Sequence, residues 1–175
     1  MRMELTRLQQ TVGITFIIVT HDQDEALSMA TRIAVMDKGA VQQIATPSEL
    51  YGHPRTKFVA DFIGKVNLLD AAVKGKKAKS LSLDAKGIGK FDMVFDKDAG
   101  SAVTIALRPE KLNLTKEKPT AKGEIAMSGT VKDVAYYGDT SQVIVTIADN
   151  TDLEISVQND SRLGGAGVKA GQKIW

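Results

Sequence analysis

The chain has 175 residues, room for one medium domain or two small ones, and 43% hydrophobic with 25% charged residues marks a folded globular protein and excludes disorder as the default. Twenty-three Lys and Arg against 21 Asp and Glu leave a formal net charge of +2, too balanced to imply nucleic acid or an anionic membrane as a partner. With no cysteine and only two histidines, His21 and His53, disulfides and thiolate metal sites are excluded and a histidine-rich metal centre has few ligands to draw on, a composition that fits the cytosol.

The N-terminus MRMELTRLQQ interleaves charges with apolar residues and so does not read as a secretory signal. Met1, Leu5, Leu8 and Val12 recur at roughly helical spacing, and Gly13 stands where a helix-ending glycine belongs, so a helix is expected to about Val12. Residues 14–19, ITFIIV, are β-branched or aromatic on nearly every position, the pattern of a strand buried on both faces in a parallel sheet. Six residues fall far short of the roughly 20 that a membrane-spanning helix needs, so the chain is not expected to cross a bilayer. Asp22 with Glu25 forms an Asp-x-x-Glu capping pattern that opens a second helix toward Ala30, which puts His21 at a strand-to-helix junction. Ile33–Met36, a turn at Asp37-Lys38-Gly39, and Val41–Ala45 read as a β-hairpin. Thr46, Pro47 and Glu49 then supply a cap, a first-turn proline and an acid, predicting a short helix through Tyr51. Phe58, Val59, Phe62 and Ile63 recur at helical spacing before Gly64.

From about residue 65 the texture changes to short alternating segments separated by Gly, Asp, Asn and Lys. Strands are expected at 68–73, 79–83, 90–95, 102–108, 125–137, 142–147 and 153–158, with Lys173–Trp175 a strand cut short. Such spacing suggests a small barrel, and the two runs of strands could be two half-barrels.

The segments FIIVTHDQDEAL (16–27), RIAVMDKGAVQQIATPSELY (32–51), PRTKFVADFIG (54–64), NLLDAAV (67–73), ALRPEKLNL (106–114) and YYGDTSQVIV (136–145) stand in one ordered series. In that series the chain resembles the C-terminal part of the ATP-binding subunit of an ABC importer, of the group that includes the spermidine/putrescine and maltose transporter ATPases. VQND (157–160) leans toward the polyamine branch. The resemblance implies an α/β fragment followed by an all-β domain. Residues 1–64 would be the incomplete end of a nucleotide-binding domain, and 65–175 an OB-type regulatory barrel of the TOBE kind. It also implies a homodimer, permease subunits as partners, and a place on the cytoplasmic face of the inner membrane. His21 would be the switch-loop histidine that contacts the γ-phosphate of ATP, with Mg²⁺ as the metal of the parent protein.

No G-x-x-x-x-G-K-[ST] phosphate loop occurs in the sequence, nor do the LSGGQ signature, the Q-loop glutamine and the strand ending in Asp-Glu. The chain is therefore expected to be a fragment that by itself neither binds ATP tightly nor hydrolyses it. Because a lone parallel strand would expose an apolar edge, the run 14–19 is expected to be covered, by a second copy or by refolding of residues 1–30 onto the β domain.

The remaining candidates carry bland readings beside sharp ones. His21-Asp22 as the metal-binding step of an HD phosphohydrolase lacks the further ligands that site needs, and His53 reads as an exposed loop residue. KGKKAK (74–79) is better read as a solvated hairpin tip than as a nucleic-acid patch, and no nucleic acid is expected as a partner. Tyr136 and Tyr137 with Asp139 form either a contact surface for a ligand or partner, or ordinary cross-strand packing. Arg108 and Glu110 are either a site or a salt-bridged structural corner. The alternative to the importer reading is an independent OB-type module that binds a small ligand.

Overall fold

The computed structural model describes residues 2–77, 79–95, 99–120, 123–159 and 167–175. The chain divides into two compact units, Met1–Lys65 and Val66–Trp175.

The first unit opens with α1 (Arg2–Val12), which Gly13 ends at a φ of 73° by donating its N–H to the Gln9 carbonyl at 2.9 Å. The buried strand expected at 14–19 does not form. Ile17 and Val19 are 90% and 97% exposed, so the run lies open in the single chain. The reason is that a strand of a parallel sheet exists only through its neighbours, and no described strand of this unit lies beside the run. β-propensity alone does not hold six residues in a sheet.

The local signals after His21 behave as their chemistry dictates. α2 (Gln23–Met29) starts where the Asp22 side chain accepts the Glu25 N–H at 2.9 Å. β1 (Ile33–Asp37) and β2 (Ala40–Ala45) pair antiparallel across a turn in which Lys38 and Gly39 both take positive φ, 48° and 79°. α3 (Pro47–Gly52) carries a complete capping box, with Thr46 accepting from the Glu49 N–H and the Glu49 carboxylate accepting from the Thr46 N–H. α4 (Lys57–Phe62) is capped by Thr56. The core of the unit is Val35, Leu50, Val59 and Ile63, each no more than 2% exposed, with Leu27, Ile33 and Tyr51 packed around it. Burying Leu50 alone contributes about 2 kcal/mol. Gln43, 5% exposed, is the buried polar residue of this hairpin, and its amide bonds the His53 carbonyl and the Arg55 N–H.

The second unit is all β apart from short 3-10 turns. β3 (Asn67–Lys77), β4 (Ser80–Ala85), β5 (Gly89–Val94) and β6 (Ala102–Leu107) form one sheet in the order β5-β4-β3-β6. β7 (Gly129–Tyr136), β8 (Thr140–Ile147), β9 (Thr151–Gln158) and β10 (Lys173–Ile174) form another, β10-β7-β8-β9. Every pairing is antiparallel, and β8 alternates half-buried and buried residues along its whole length, the period-2 pattern that places Ser141, Val143, Val145 and Ile147 inward. The strand expected from residue 125 begins only at Gly129, and Ile125 is 50% exposed. A Cβ at Gly129 would sit 3.0 Å from the Thr146 carbonyl oxygen, so glycine there permits the close approach of β8 with which the strand begins.

Asn67, at the start of β3, ties the two sheets together. Its Nδ2 donates to the Glu154 carbonyl at 2.8 Å and to the Leu107 carbonyl at 3.3 Å, while its Oδ1 accepts the Glu154 N–H at 2.7 Å. β9 is an edge strand, and this side chain occupies the outward backbone groups of Glu154 as a further strand would. Inside, Leu69 of β3 joins Val131, Val143, Val145, Ile147, Leu153, Ile155 and Ile174 in one cluster, and a second gathers Ala71, Leu81, Leu83 and Ala85.

Candidate functional site

His21 is exposed at the end of the open run, but the backbone on both sides of it is held. The Thr20 hydroxyl accepts the Asp22 N–H at 3.0 Å, and Asp22 in turn caps α2. A polar ring is thus presented to solvent from a fixed junction, the arrangement a positioning or hydrogen-bonding role requires. The residues present do not complete a nucleotide or Mg²⁺ site around it: the sequence holds no phosphate loop, and among the described residues no three His, Cys, Asp or Glu are grouped as metal ligands. His53 lies elsewhere in the unit, exposed, with its N–H on the Glu49 carbonyl at the end of α3.

The candidates of the second unit fall into separate places. Tyr136 and Tyr137, 61% and 62% exposed, flank the β7–β8 turn with Gly138 and Asp139. They do not pack into the core, and Tyr136 pairs across the hairpin with Ser141. Asn159 clamps the turn: its N–H donates to the Asp139 carbonyl, its Nδ2 to the Gly138 carbonyl, and its Oδ1 accepts from the Ser141 hydroxyl. Ser141 is fully buried, so this network fixes the turn from below. Asn159 belongs to the VQND segment, whose Asp160 lies outside the described residues.

Arg108 is 7% exposed and Glu110 exposed, at a 3-10 turn over Pro109–Lys111 where the Arg108 carbonyl accepts the Lys111 N–H. A buried arginine beside a proline fits a structural corner better than a free site. A cleft of the same unit has an apolar floor of Val145, Leu153 and Ile155 and a rim that includes Glu110, Glu124 and Trp175. Lys118 Nζ stands 5.2 Å from the centre of the Trp175 ring, a cation–π contact at that rim. In the basic tip, Lys74 lies 3.8 Å from Asp84, and Ala78 lies outside the described residues.

Gln23 escaped the sequence reading, and Asn159 entered it only as part of the VQND segment, without a role. Each acts through a hydrogen bond to residues far along the chain, so no local spacing announces it; the one available signal was that Gln23 precedes Leu27 by four residues on the same helix face.

The β unit defines a class: the TOBE domain family matches residues 105–175. Its fold is similar to that of the cytoplasmic molybdate-binding protein ModG, with a TM-score of 0.52 at 16% identity over 62% of this chain and 86% of that one, a likeness of fold and consistent with an OB-type barrel. The whole chain then finds relatives of a particular kind. It is 42% identical over 161 residues to the spermidine/putrescine import ATP-binding protein PotA of Pseudomonas aeruginosa strain UCBPP-PA14, covering 91% of this chain and 44% of the relative. The protein of that name from Thermobifida fusca is 41% identical over 179 residues, with 100% of this chain and 45% of the relative covered. The one from Chromobacterium violaceum is 42% identical over 91% of this chain and 45% of its own length. These likenesses support the resemblance to the C-terminal part of an ABC-importer ATP-binding subunit, and the chain spans less than half the length of the relatives it matches.

Proposed function

We propose that this chain is the C-terminal part of the ATP-binding subunit of an ABC importer for polyamines. Its first unit is then the end of an α/β nucleotide-binding domain, and its second a regulatory and dimerisation domain. The observation that carries the reading is an identity of about two residues in five, over alignments that cover 91–100% of this chain, to proteins named as spermidine/putrescine import ATP-binding proteins. In this reading His21 is the residue these units offer to a nucleotide γ-phosphate, while ATP and Mg²⁺ are held by residues other than those described. The partners are a second copy of the chain and the membrane permease subunits, on the cytoplasmic face of the inner membrane, with no nucleic acid. Chemically this is reasonable, since phosphoryl transfer depends on positioned donors and His21 projects from a fixed junction.

The test is uptake of labelled spermidine and putrescine by cells of the source organism with the gene intact, deleted, and restored with His21→Ala. Loss of uptake on deletion and failure of the His21→Ala copy to restore it are expected. Unchanged uptake on deletion would refute the importer reading. A small-ligand-binding OB module is the second reading, suggested by the likeness of fold to the molybdate-binding protein ModG. Thermal stabilisation of the 175-residue chain by a small ligand would separate it from the first.

A further inference from the structure

α2 is attached to its unit along one face. Gln23 and Leu27 are four residues apart and therefore stack on the same side of the helix. Leu27 packs against the cluster of Val35, Leu50, Val59 and Ile63, and Gln23 Oε1 accepts the Gly64 N–H at 2.8 Å, a tie across 41 residues. No residue of the helix is fully buried, and α2 also lies against α1 and α3, so the Leu27 contact and the Gln23 hydrogen bond are two of the ties that hold it. The helix starts two residues after His21, and a hydrogen bond from the Asp22 N–H to the Thr20 hydroxyl spans the residue between them, while Asp22 caps the helix. The other end of the tie is a joint. Gly64 follows α4 with a φ of 79°, and two residues later, at Val66, the second unit begins. Chain direction after a helix depends on few torsions at such a left-handed residue, so a hydrogen bond to its N–H acts on the path of the chain beyond it.

We propose that Gln23 is a positioning residue that makes the His21 loop and the Gly64 joint one conformational unit. A ligand that displaces the loop then acts on the joint that leads into the β unit, and a change at the joint acts on His21. As a regulatory device this rests on His21 being the nucleotide-contacting residue of the proposed function. The coupling itself is measurable without nucleotide.

With two histidines, the chain has two imidazole Cε1–H proton resonances. Gly64→Ala strains a positive-φ position and is expected to shift the His21 resonance while leaving that of His53 in place, which shows that the fold is kept. In a Gln23→Ala background the same Gly64→Ala change is expected to leave the His21 resonance unmoved. Gln23→Glu, studied where its carboxylate is ionised, keeps a side-chain acceptor and is expected to restore the shift. Exchange of the Gly64 amide should quicken by about three- to tenfold in Gln23→Ala and not in Gln23→Glu, in proportion to the loss of one part-buried hydrogen bond. Should Gly64→Ala not fold, Gly64→Asn, which tolerates the left-handed region, is the milder perturbation at the same place. Equal shifts of His21 in the wild-type and Gln23→Ala backgrounds would overturn the proposal, and so would an unchanged Gly64 exchange rate in Gln23→Ala. A negative polyamine-uptake result would remove the importer reading and leave these resonances where they are, so the two failures are distinguishable.

Discussion

Replacing Asn67 by alanine should unsettle the β unit more than any surface substitution of similar size. The side chain makes three hydrogen bonds that join β3 to the edge strand β9 and to the Leu107 carbonyl. A net contribution of about 0.5–1.5 kcal/mol per bond gives roughly 1.5–4.5 kcal/mol. The 3.3 Å contact to Leu107 is the weakest of the three, so we expect a loss of about 2–3 kcal/mol, with the Glu154 N–H and carbonyl left without their partner. For a unit of this size that lowers the unfolding midpoint by roughly 10 °C. Trp175, the single tryptophan, lies in this unit and reports its unfolding independently of the first. Urea titration followed by Trp175 emission should show a lower midpoint with an unchanged slope. Asn67→Asp keeps the acceptor for the Glu154 N–H but turns a carboxylate oxygen toward two carbonyls, and should cost at least as much. A loss below about 0.5 kcal/mol for Asn67→Ala would mean that apolar packing alone joins the sheets, and the clamp argument would fail.

Gly87→Ala should destabilise the same unit by roughly 2–3 kcal/mol, read by the same titration, because Gly87 has a φ of 79° and a Cβ there would stand 2.9 Å from the Ala148 carbonyl oxygen. Thr46→Ala should cost about 1 kcal/mol in the first unit, seen in its thermal melt followed by circular dichroism. The Thr46 backbone N–H, and after it the Thr46 hydroxyl, hold the Glu49 carboxyl below its ordinary value of 4.5. A carboxyl depressed in the folded state stabilises above its unfolded pKa and loses that contribution as pH falls through the folded one, so the effect belongs below about pH 4.5. Glu49→Gln should flatten that acid limb, and an unaltered pH profile in Glu49→Gln would contradict the assignment. Val19→Lys should change stability by less than about 0.5 kcal/mol, because the side chain is 97% exposed; a loss of several kcal/mol would restore the buried-strand reading of 14–19.

Features written in neighbouring residues were legible before the structure. Caps at Asp22 and Thr46, the Lys38-Gly39 turn, and the alternation of β8 each depend on groups within a few positions of one another, and the structure realises each of them. Of the junction expected at His21, the helix side forms, with Asp22 as its cap, and the strand side does not. ITFIIV marks the limit of such reading. Its composition states that the run favours a sheet, but a sheet is a relation to other strands, and no described strand of its unit is there to pair with it.

By itself, then, the sequence determined the turns, the caps and the elements that local signals close, along with the ordered motifs that carry the family resemblance, because local torsions and short-range hydrogen bonds are encoded where they act. Tertiary structure alone decided that residues 14–19 lie open, that Tyr136 and Tyr137 face solvent on a turn clamped by Asn159, and that Asn67 and Gln23 reach across 87 and 41 residues to bind Glu154 and Gly64. Those outcomes depend on which distant backbone groups are left without a partner once the local elements have formed, and that is settled only when the chain has packed.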